Sequence, residues 1–476
     1  MRVHFIGIGG IGMSALAHIL LNEGCQVSGS DLQESAITRA LALKGATVHR
    51  GHDPAQLGDA ELVVITSAAH QDNPEVAAAR ARGVRIIKRA ELLGRLMRGK
   101  RGVGVAGSHG KTTTTALLAC ALVEGGFDPT VVVGGEVPEL GGNARSGSGA
   151  FFIAEADEFD ASFLHLHPEV AVVTNIEAEH LDYYGDLANV VKAFGMFLQG
   201  MPAHGHVVFC LDDPILASLQ SDRNGSDGAK LNDTEWTALG ALLTGALQVE
   251  SRISFGFHPR ARWRAERVRP NTQGGSDFTV SDGGAPAGEF TLRIPGRHNV
   301  SNALGVIAAA RSIGVELGVL QRVLSEFGGV KRRFQLLGEA RGVTVIDDYA
   351  HHPSEVRATL AAARSRFGMR RVRCVFQPHT YSRTKLLEAE YRTAFRDADA
   401  VSITEVYAAR EENTWGASGA ALANSLEHPL VAFTPGLDEA VAHETRSLRP
   451  GDVLVVMGAG DVYQVGERVL AELRGR

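Results

Sequence analysis

The sequence predicts an α/β protein divided into three successive domains, residues 1–99, 100–328 and 329–476, and three observations carry that prediction. The chain has 476 residues, 44% of them hydrophobic, which is enough for several cores. Short apolar runs of strand length alternate with stretches of helical periodicity in three separate series. Polar clusters recur where the strand runs end, and in parallel sheets that edge is where ligands gather.

The first series begins with an apolar strand from Val3 to Ile8, a helical stretch from Ile11 to Asn22, strands from Gln26 to Ser30 and Leu62 to Thr66, and a helix from Val76 to Arg82. Its first turn reads Gly7-Ile8-Gly9-Gly10-Ile11-Gly12, a full G-x-G-x-x-G, and Asp31 closes the second strand. Gly9, Gly10 and Gly12 would let a diphosphate approach the start of the helix, while Asp31 would take a ribose or sugar hydroxyl. NAD, FAD and a UDP-sugar all satisfy that chemistry.

The second series is built around Val103 to Thr115, V-G-V-A-G-S-H-G-K-T-T-T-T. A strand empties into Gly107, Ser108, His109 and Gly110, and a helix follows at Lys111, Thr112 and Thr113. This is a phosphate cradle: backbone N–H groups meet an anion, Lys111 reaches the outer phosphates, and a threonine hydroxyl completes a Mg²⁺ shell. The spacing is the short G-x-x-G-K-T, because Val105 stands where the common loop has its first glycine. Strands from Val131 to Gly134, Phe151 to Glu155 and Val170 to Asn175 should end on the same edge. Glu155 and His180 are therefore the expected metal ligands, His180 as an unusual nitrogen donor.

Residues 221 to 248 turn polar and then weakly amphipathic, as in a surface loop with one short helix. Runs from Arg252 to Phe257, Arg262 to Val268, Asp277 to Val280 and Glu289 to Ile294 alternate like a peripheral antiparallel sheet. Pro295 to Asn302 then leads into an alanine-rich helix, with His298 and Asn299 placed to read an adenine edge or to cap that helix.

The third series has strands from Val343 to Asp347, Arg373 to Phe376, Ala400 to Thr404 and Asp452 to Met457. Its polar clusters contain Asp347, Asp348, His351 and His352, then His379 and Arg383, then Glu405, Tyr407, Arg410 and Glu411. A helix start near Pro353 and an arginine at 383 suit a carboxylate or a phosphoryl group. No spacing marks a Ser/His/Asp or Cys/His nucleophile, so covalent catalysis by the chain is not expected.

Composition narrows the partners. The formal net charge of −6 gives no reason to expect nucleic acid or an anionic membrane as partner, while local basic clusters could still bind small phosphates. Four scattered cysteines form no C-x-x-C pair and fit a reducing, cytoplasmic address. No apolar stretch is long enough to span a bilayer, and the start of the chain reads as a strand rather than a signal.

Taken in order, G-I-G-G-I-G-M-S, G-S-H-G-K-T-T-T, E-A-D-E-F-D, T-N-I-E-A-E-H-L-D, G-R-H-N-V-S-N-A, D-D-Y-A-H-H-P and F-Q-P-H-T-Y-S-R-T cover nearly the whole chain. Together they resemble the Mur ligases. The resemblance implies a Rossmann-like N-terminal domain for a UDP-sugar, a central P-loop-type ATPase domain with a mixed sheet, and a C-terminal Rossmann-like α/β domain for the amino acid and part of ATP. It sets the NAD reading aside and assigns Gly9, Gly10 and Gly12 to the UDP diphosphate. The implied substrates are ATP, UDP-N-acetylmuramate and L-alanine, with Mg²⁺, or Mn²⁺ in its place, and the implied state is a monomer or homodimer. The implied reaction makes an acyl phosphate from the lactyl carboxylate, which the amine then attacks. By the same resemblance, Thr112 and Glu155 hold one metal and His180 the other, Asn175 positions the sugar nucleotide or the metal shell, and His298 and Asn299 contact adenine. Asp347 and Asp348 serve the ribose or the domain interface, and His379 and Arg383 orient L-alanine or the acyl phosphate. Thr380 stands where some members have arginine, and the polar loop after Asp213 is longer than expected. A tripeptide-adding ligase of the same architecture is the nearest alternative; a nicotinamide oxidoreductase or a nucleotide-gated binding protein would belong to other classes.

Overall fold

The computed structural model describes residues 1–66, 72–220, 240–241, 243, 249 and 251–475. The polar loop expected at 221–248 lies almost wholly outside the described residues. Three sheets follow one another along the chain. The first has five parallel strands in the order Thr47–Arg50, Gln26–Asp31, Arg2–Ile6, Leu62–Ile65, Arg85–Lys88. The first-formed strand is therefore central and the order reverses beside it, which creates a crevice at the carboxyl ends where the glycine turn sits.

The second sheet has ten strands. Its parallel centre places Arg101–Ala106 between Phe151–Glu155 and Val170–Val173, so the phosphate loop and both acidic segments leave the same edge. The expected peripheral sheet does not stand apart. Ser251–Gly256 pairs in parallel with His206–Cys210, and the antiparallel strands Trp263–Pro270, Ser276–Asp282 and Ala285–Leu292 continue outward from it. Ser254 and Phe255 bury both faces of that strand, so it belongs to the interior of the sheet, where alternation alone would have placed it at an edge.

The third sheet runs Gln335–Ala340, Val343–Asp348, Val453–Met457, Val372–Phe376, Ala400–Ile403, Val431–Phe433, parallel except at its first edge. Apolar packing divides the molecule unevenly. One continuous core joins the helix Ile11–Asn22 to the central sheet, whereas the third sheet has its own core on each face. Its meeting with the central unit is polar: Ser354 Oγ donates to Glu177 at 2.6 Å, Arg383 to Glu179 at 3.3 Å, and Lys331 pairs with Glu136.

Inside the third unit, Arg373 and Glu444 form a buried two-pronged pair, Nε to Oε2 at 2.6 Å and Nη2 to Oε1 at 3.1 Å, with Ser402 donating to the same carboxylate. Removing one partner strands the other charge away from water. Glu444→Ala should cost about 3–5 kcal/mol in denaturant unfolding, while Arg373→Met with Glu444→Leu should recover most of it.

Candidate active site

The phosphate loop is shaped by its glycines. Gly107 has φ +134° and an added Cβ would come within 2.0 Å of Thr174 Oγ1; Gly110 has φ +83° and the added carbon would meet Asn302 Oδ1 at 2.5 Å. No other residue fits either place. Asn175 and Thr174 clamp the loop between them. Asn175 Oδ1 accepts the His109 N–H at 2.8 Å, its Nδ2 donates to the His109 carbonyl at 3.1 Å, and Thr174 Oγ1 donates to that carbonyl at 2.6 Å. Asn175, read from resemblance as positioning a ligand, here positions the loop.

Lys111 opens the helix Lys111–Glu124 and folds back on its own loop, donating to the Gly107 carbonyl at 2.6 Å. Both oxygens of Glu158 accept from the same ammonium, at 2.9 and 2.8 Å. Burial alone would lower the lysine's pKa, but the charges of Glu158 and Asp157 raise it, so the ammonium is held protonated. Sequence reasoning passed over Glu158, which lies inside E-A-D-E-F-D but is only 1% exposed and counters the key cation.

The proposed metal ligands come together in part. Thr112 Oγ1 lies 3.3 Å from Glu155 Oε2, and Glu155 Oε1 accepts the Gly134 N–H at 2.6 Å. His180 sits beyond Glu158, its Nε2 4.0 Å from Oε1, on a left-handed backbone at φ +54°. Burial raises the Glu155 pKa, the cost a bound cation would remove. A hydroxyl, a buried carboxylate and a neighbouring imidazole fit a small divalent ion beside a phosphate.

Two cavities flank this centre. The first is lined by His109, Gly110, Thr112, His298, Asn299, Asn302, Arg333 and Asp348. Asn299 donates to the Pro295 carbonyl at 2.7 Å and accepts from Asn302 at 3.1 Å, which fixes its amide at the cavity wall with one N–H and one lone pair to spare. Burial lowers the His298 pKa to about 4, leaving a neutral ring at the wall. The two aspartates separate: Asp348 lines the cavity and accepts from Phe334 N–H at 2.7 Å, whereas Asp347 turns to Arg332 at 3.3 Å. The second cavity contains His180, His379, Thr380, Arg383, Tyr407 and Glu411. Arg383 Nη1 donates to His379 Nδ1 at 3.2 Å, and burial with the charges of His351 and Arg383 lowers the His379 pKa to about 3. His379 is thus a neutral acceptor that aims the guanidinium.

The glycine turn of the first unit faces the same region. Asp31 Oδ2 accepts the Gly9 N–H at 2.9 Å, so the carboxylate braces the turn itself. Arg89, which sequence reasoning missed, packs on Gly12 and lies 3.8 Å from Asp157, two residues from Glu155. Arg89 therefore links the glycine turn to the acidic segment that carries Asp157 and Glu155.

The polar junction with the third unit titrates. Burial would raise the Glu177 pKa, but hydrogen bonds from His109 and Ser354 and the charges of His109 and His352 lower it from 4.5 to about 2. A depressed carboxylate stabilises the junction fully above its unfolded value and loses that contribution as pH falls. Protection of amides in the helix Pro353–Phe367, taken relative to the intrinsic exchange rate at each pH, should fall between pH 4.5 and about 2, and Glu177→Gln should flatten that dependence.

A glycine-shaped loop that ends in a buried lysine, an acidic cluster beside it, a second glycine turn in the first unit and a separate α/β unit that closes the two cavities are the arrangement of a nucleotide-using ligase. Family models agree along the chain: Mur ligase family, catalytic domain over residues 2–101, Mur ligase middle domain over 105–310, and Mur ligase, glutamate ligase domain over 332–460. The chain belongs to the Mur ligase family. It is 46% identical to the UDP-N-acetylmuramate–L-alanine ligase of Myxococcus xanthus, over 99% of this chain and 95% of that protein. The corresponding ligase of Geobacter sp. is 44% identical over 99% of this chain and 98% of its own length. Among solved structures, UDP-N-acetylmuramate-alanine ligase MurC of Thermotoga maritima superposes with a TM-score of 0.79 at 30% identity, covering 100% and 99% of the two chains. The murein peptide ligase of Psychrobacter arcticus gives 0.72 at 25% identity, covering 100% and 99%.

Proposed function

We propose that this chain is an ATP-dependent ligase that joins L-alanine to UDP-N-acetylmuramate through an acyl phosphate, in the making of peptidoglycan precursors. The observation that carries the reading is that residues of two units line each cavity, His109 and Thr112 facing Arg333 and Asp348 around the first, and Glu179 and His180 facing His379 and Arg383 around the second, with Lys111 and Glu155 on the same loop and strand end. Relatives 43–46% identical over their full length, named for that reaction, support the choice of substrates.

In this reading residues 1–99 hold the UDP group at Gly9, Gly10, Gly12 and Arg89, residues 100–328 hold the triphosphate, and residues 329–476 bring the amino acid. Lys111 concentrates positive charge where the transferring phosphoryl group gains negative charge. Thr112, Glu155 and His180 would hold Mg²⁺, or Mn²⁺, which when bound neutralises phosphate oxygens. His298, Asn302 and Asp348 frame the nucleoside. Arg383 presents a planar fork to a carboxylate or an acyl phosphate, and the neutral His379 keeps it aimed. Closure of the third unit excludes water from the activated acid. No helix among the described residues is long and apolar enough to cross a membrane, and we place the reaction in the cytoplasm, on a monomer or homodimer.

Phosphate release tests the proposal. With ATP, Mg²⁺ and UDP-N-acetylmuramate, release should turn over only when L-alanine is added. Turnover with the murein tripeptide instead would reassign the substrate, and release indifferent to any amine would reject ligation.

A further inference from the structure

Between the two cavities stand His109, Glu179 and His352. His109 belongs to the phosphate loop, Glu179 follows the strand Val170–Val173, and His352 caps the helix Pro353–Phe367 of the third unit. Glu179 Oε1 and His352 Nε2 are buried without a hydrogen-bond partner, and His109 Nε2 is met only at 3.4 Å, by Glu177 Oε2, although a buried polar atom left unpaired is costly. These ligand-type atoms all lie within 4.8 Å of one another, and His352 Nε2 is 3.9 Å from Glu179 Oε1. The side chains of Glu179 and His352 are only 5% and 6% exposed.

The groups behind the cluster match the way proteins hold metal-bound imidazoles. Such rings usually turn their second nitrogen to a carboxylate. His109 Nδ1 lies 3.5 Å from Glu355 Oε1, and His352 Nδ1 lies 3.8 Å from Glu177 Oε2. Glu179 is braced likewise, its Oε2 accepting from Arg383 at 3.3 Å. Two imidazoles and one carboxylate form a donor set for Zn²⁺ or Co²⁺ and not for Mg²⁺, which prefers oxygen throughout. Bonds of about 2.0–2.1 Å require each ligand atom to move inward by under about 1 Å.

We infer that His109, Glu179 and His352 form a binding site for a borderline transition-metal ion, Zn²⁺ or Co²⁺ by donor chemistry, separate from the Mg²⁺ ligands Thr112, Glu155 and His180. Two adjustments accompany binding. The His352 proton moves to Nδ1, toward Glu177, and the 3.3 Å bond from Ser354 N–H to that nitrogen is given up. His109, whose imidazolium is favoured by Glu177 and Glu355, releases a proton. Because the ligands come from two units, an occupied site fastens the third unit onto the phosphate loop. On the reading of that loop as the ATP site, Zn²⁺ is then an inhibitor that competes with ATP.

The test titrates Co²⁺ into the full chain with excess Mg²⁺ present and reads the visible absorption of four-coordinate cobalt. One equivalent should produce the band, Zn²⁺ should abolish it, His352→Gln and Glu179→Gln should each lose it, and His180→Asn should keep it. Thermal unfolding identifies a variant that has failed to fold, in which case the other one decides. Absence of the band in the unaltered chain, its survival in a folded His352→Gln or Glu179→Gln variant, or its loss with His180→Asn overturns the site. A retained band with ligation insensitive to Zn²⁺ overturns the clamp.

Discussion

Lys111→Ala should lower ATP-dependent ligation by about 1,000-fold or more, since one preorganised donor at a charge-developing centre is commonly worth two to three orders of magnitude and this one also binds the nucleotide. UDP-N-acetylmuramate binding, measured by calorimetry, should stay unchanged, because the glycine turn lies in another unit and is joined to the acidic segment beside Lys111 through Arg89. The substitution also strands Glu158, which is 1% exposed and is then left with His180 Nε2 at 4.0 Å. A stability loss of about 3–5 kcal/mol is therefore expected beside the catalytic one. Lys111→Met with Glu158→Gln separates the two, restoring stability while ligation stays lost. Equal loss of both ligands' binding in that double variant would contradict the division of the nucleotides between units.

His180→Asn should raise the Mg²⁺ concentration needed for half-maximal phosphate release by about 10- to 100-fold, the range seen when groups that orient or complete a metal shell are removed. Asparagine is the informative choice. His180 lies at φ +54°, a left-handed conformation that asparagine tolerates far better than most residues, so the backbone survives while the imidazole goes. Mg²⁺ titration of phosphate release reads the effect directly. An unchanged requirement would remove His180 from the metal shell and leave it as the partner of Glu158 and of the Phe159 ring, 5.1 Å away.

Local chemistry was legible and long-range pairing was not. The phosphate loop could be read because only glycine fits Gly107 and Gly110, and a lysine and threonines follow without a gap. The convergence of Glu155 and His180 on that loop followed from strand order in a parallel sheet. Glu158 and Arg89 could not be singled out, since what matters about each is a contact with residues 47 and 77 positions away. Asp347 and Asp348 looked equivalent as adjacent acids. Pleating sends them to opposite faces, one to Arg332 and one to the first cavity, a distinction that needs the strand's exact register. The strand His206–Cys210 was missed because H-V-V-F-C is too short to show either period, and missing it placed Ser251–Gly256 in the wrong sheet context.

Isotope transfer from the acid to the phosphate tests the central chemistry most directly. UDP-N-acetylmuramate carrying ¹⁸O in its lactyl carboxylate is incubated with ATP, Mg²⁺ and L-alanine, and the inorganic phosphate is analysed by mass spectrometry. Attack of that carboxylate on the γ-phosphorus leaves one ¹⁸O in each phosphate released, and this is the expected result. Unlabelled phosphate, with the oxygen lost on amide formation appearing in water or with both ¹⁸O atoms left in unreacted acid, would contradict activation of the carboxylate by this site.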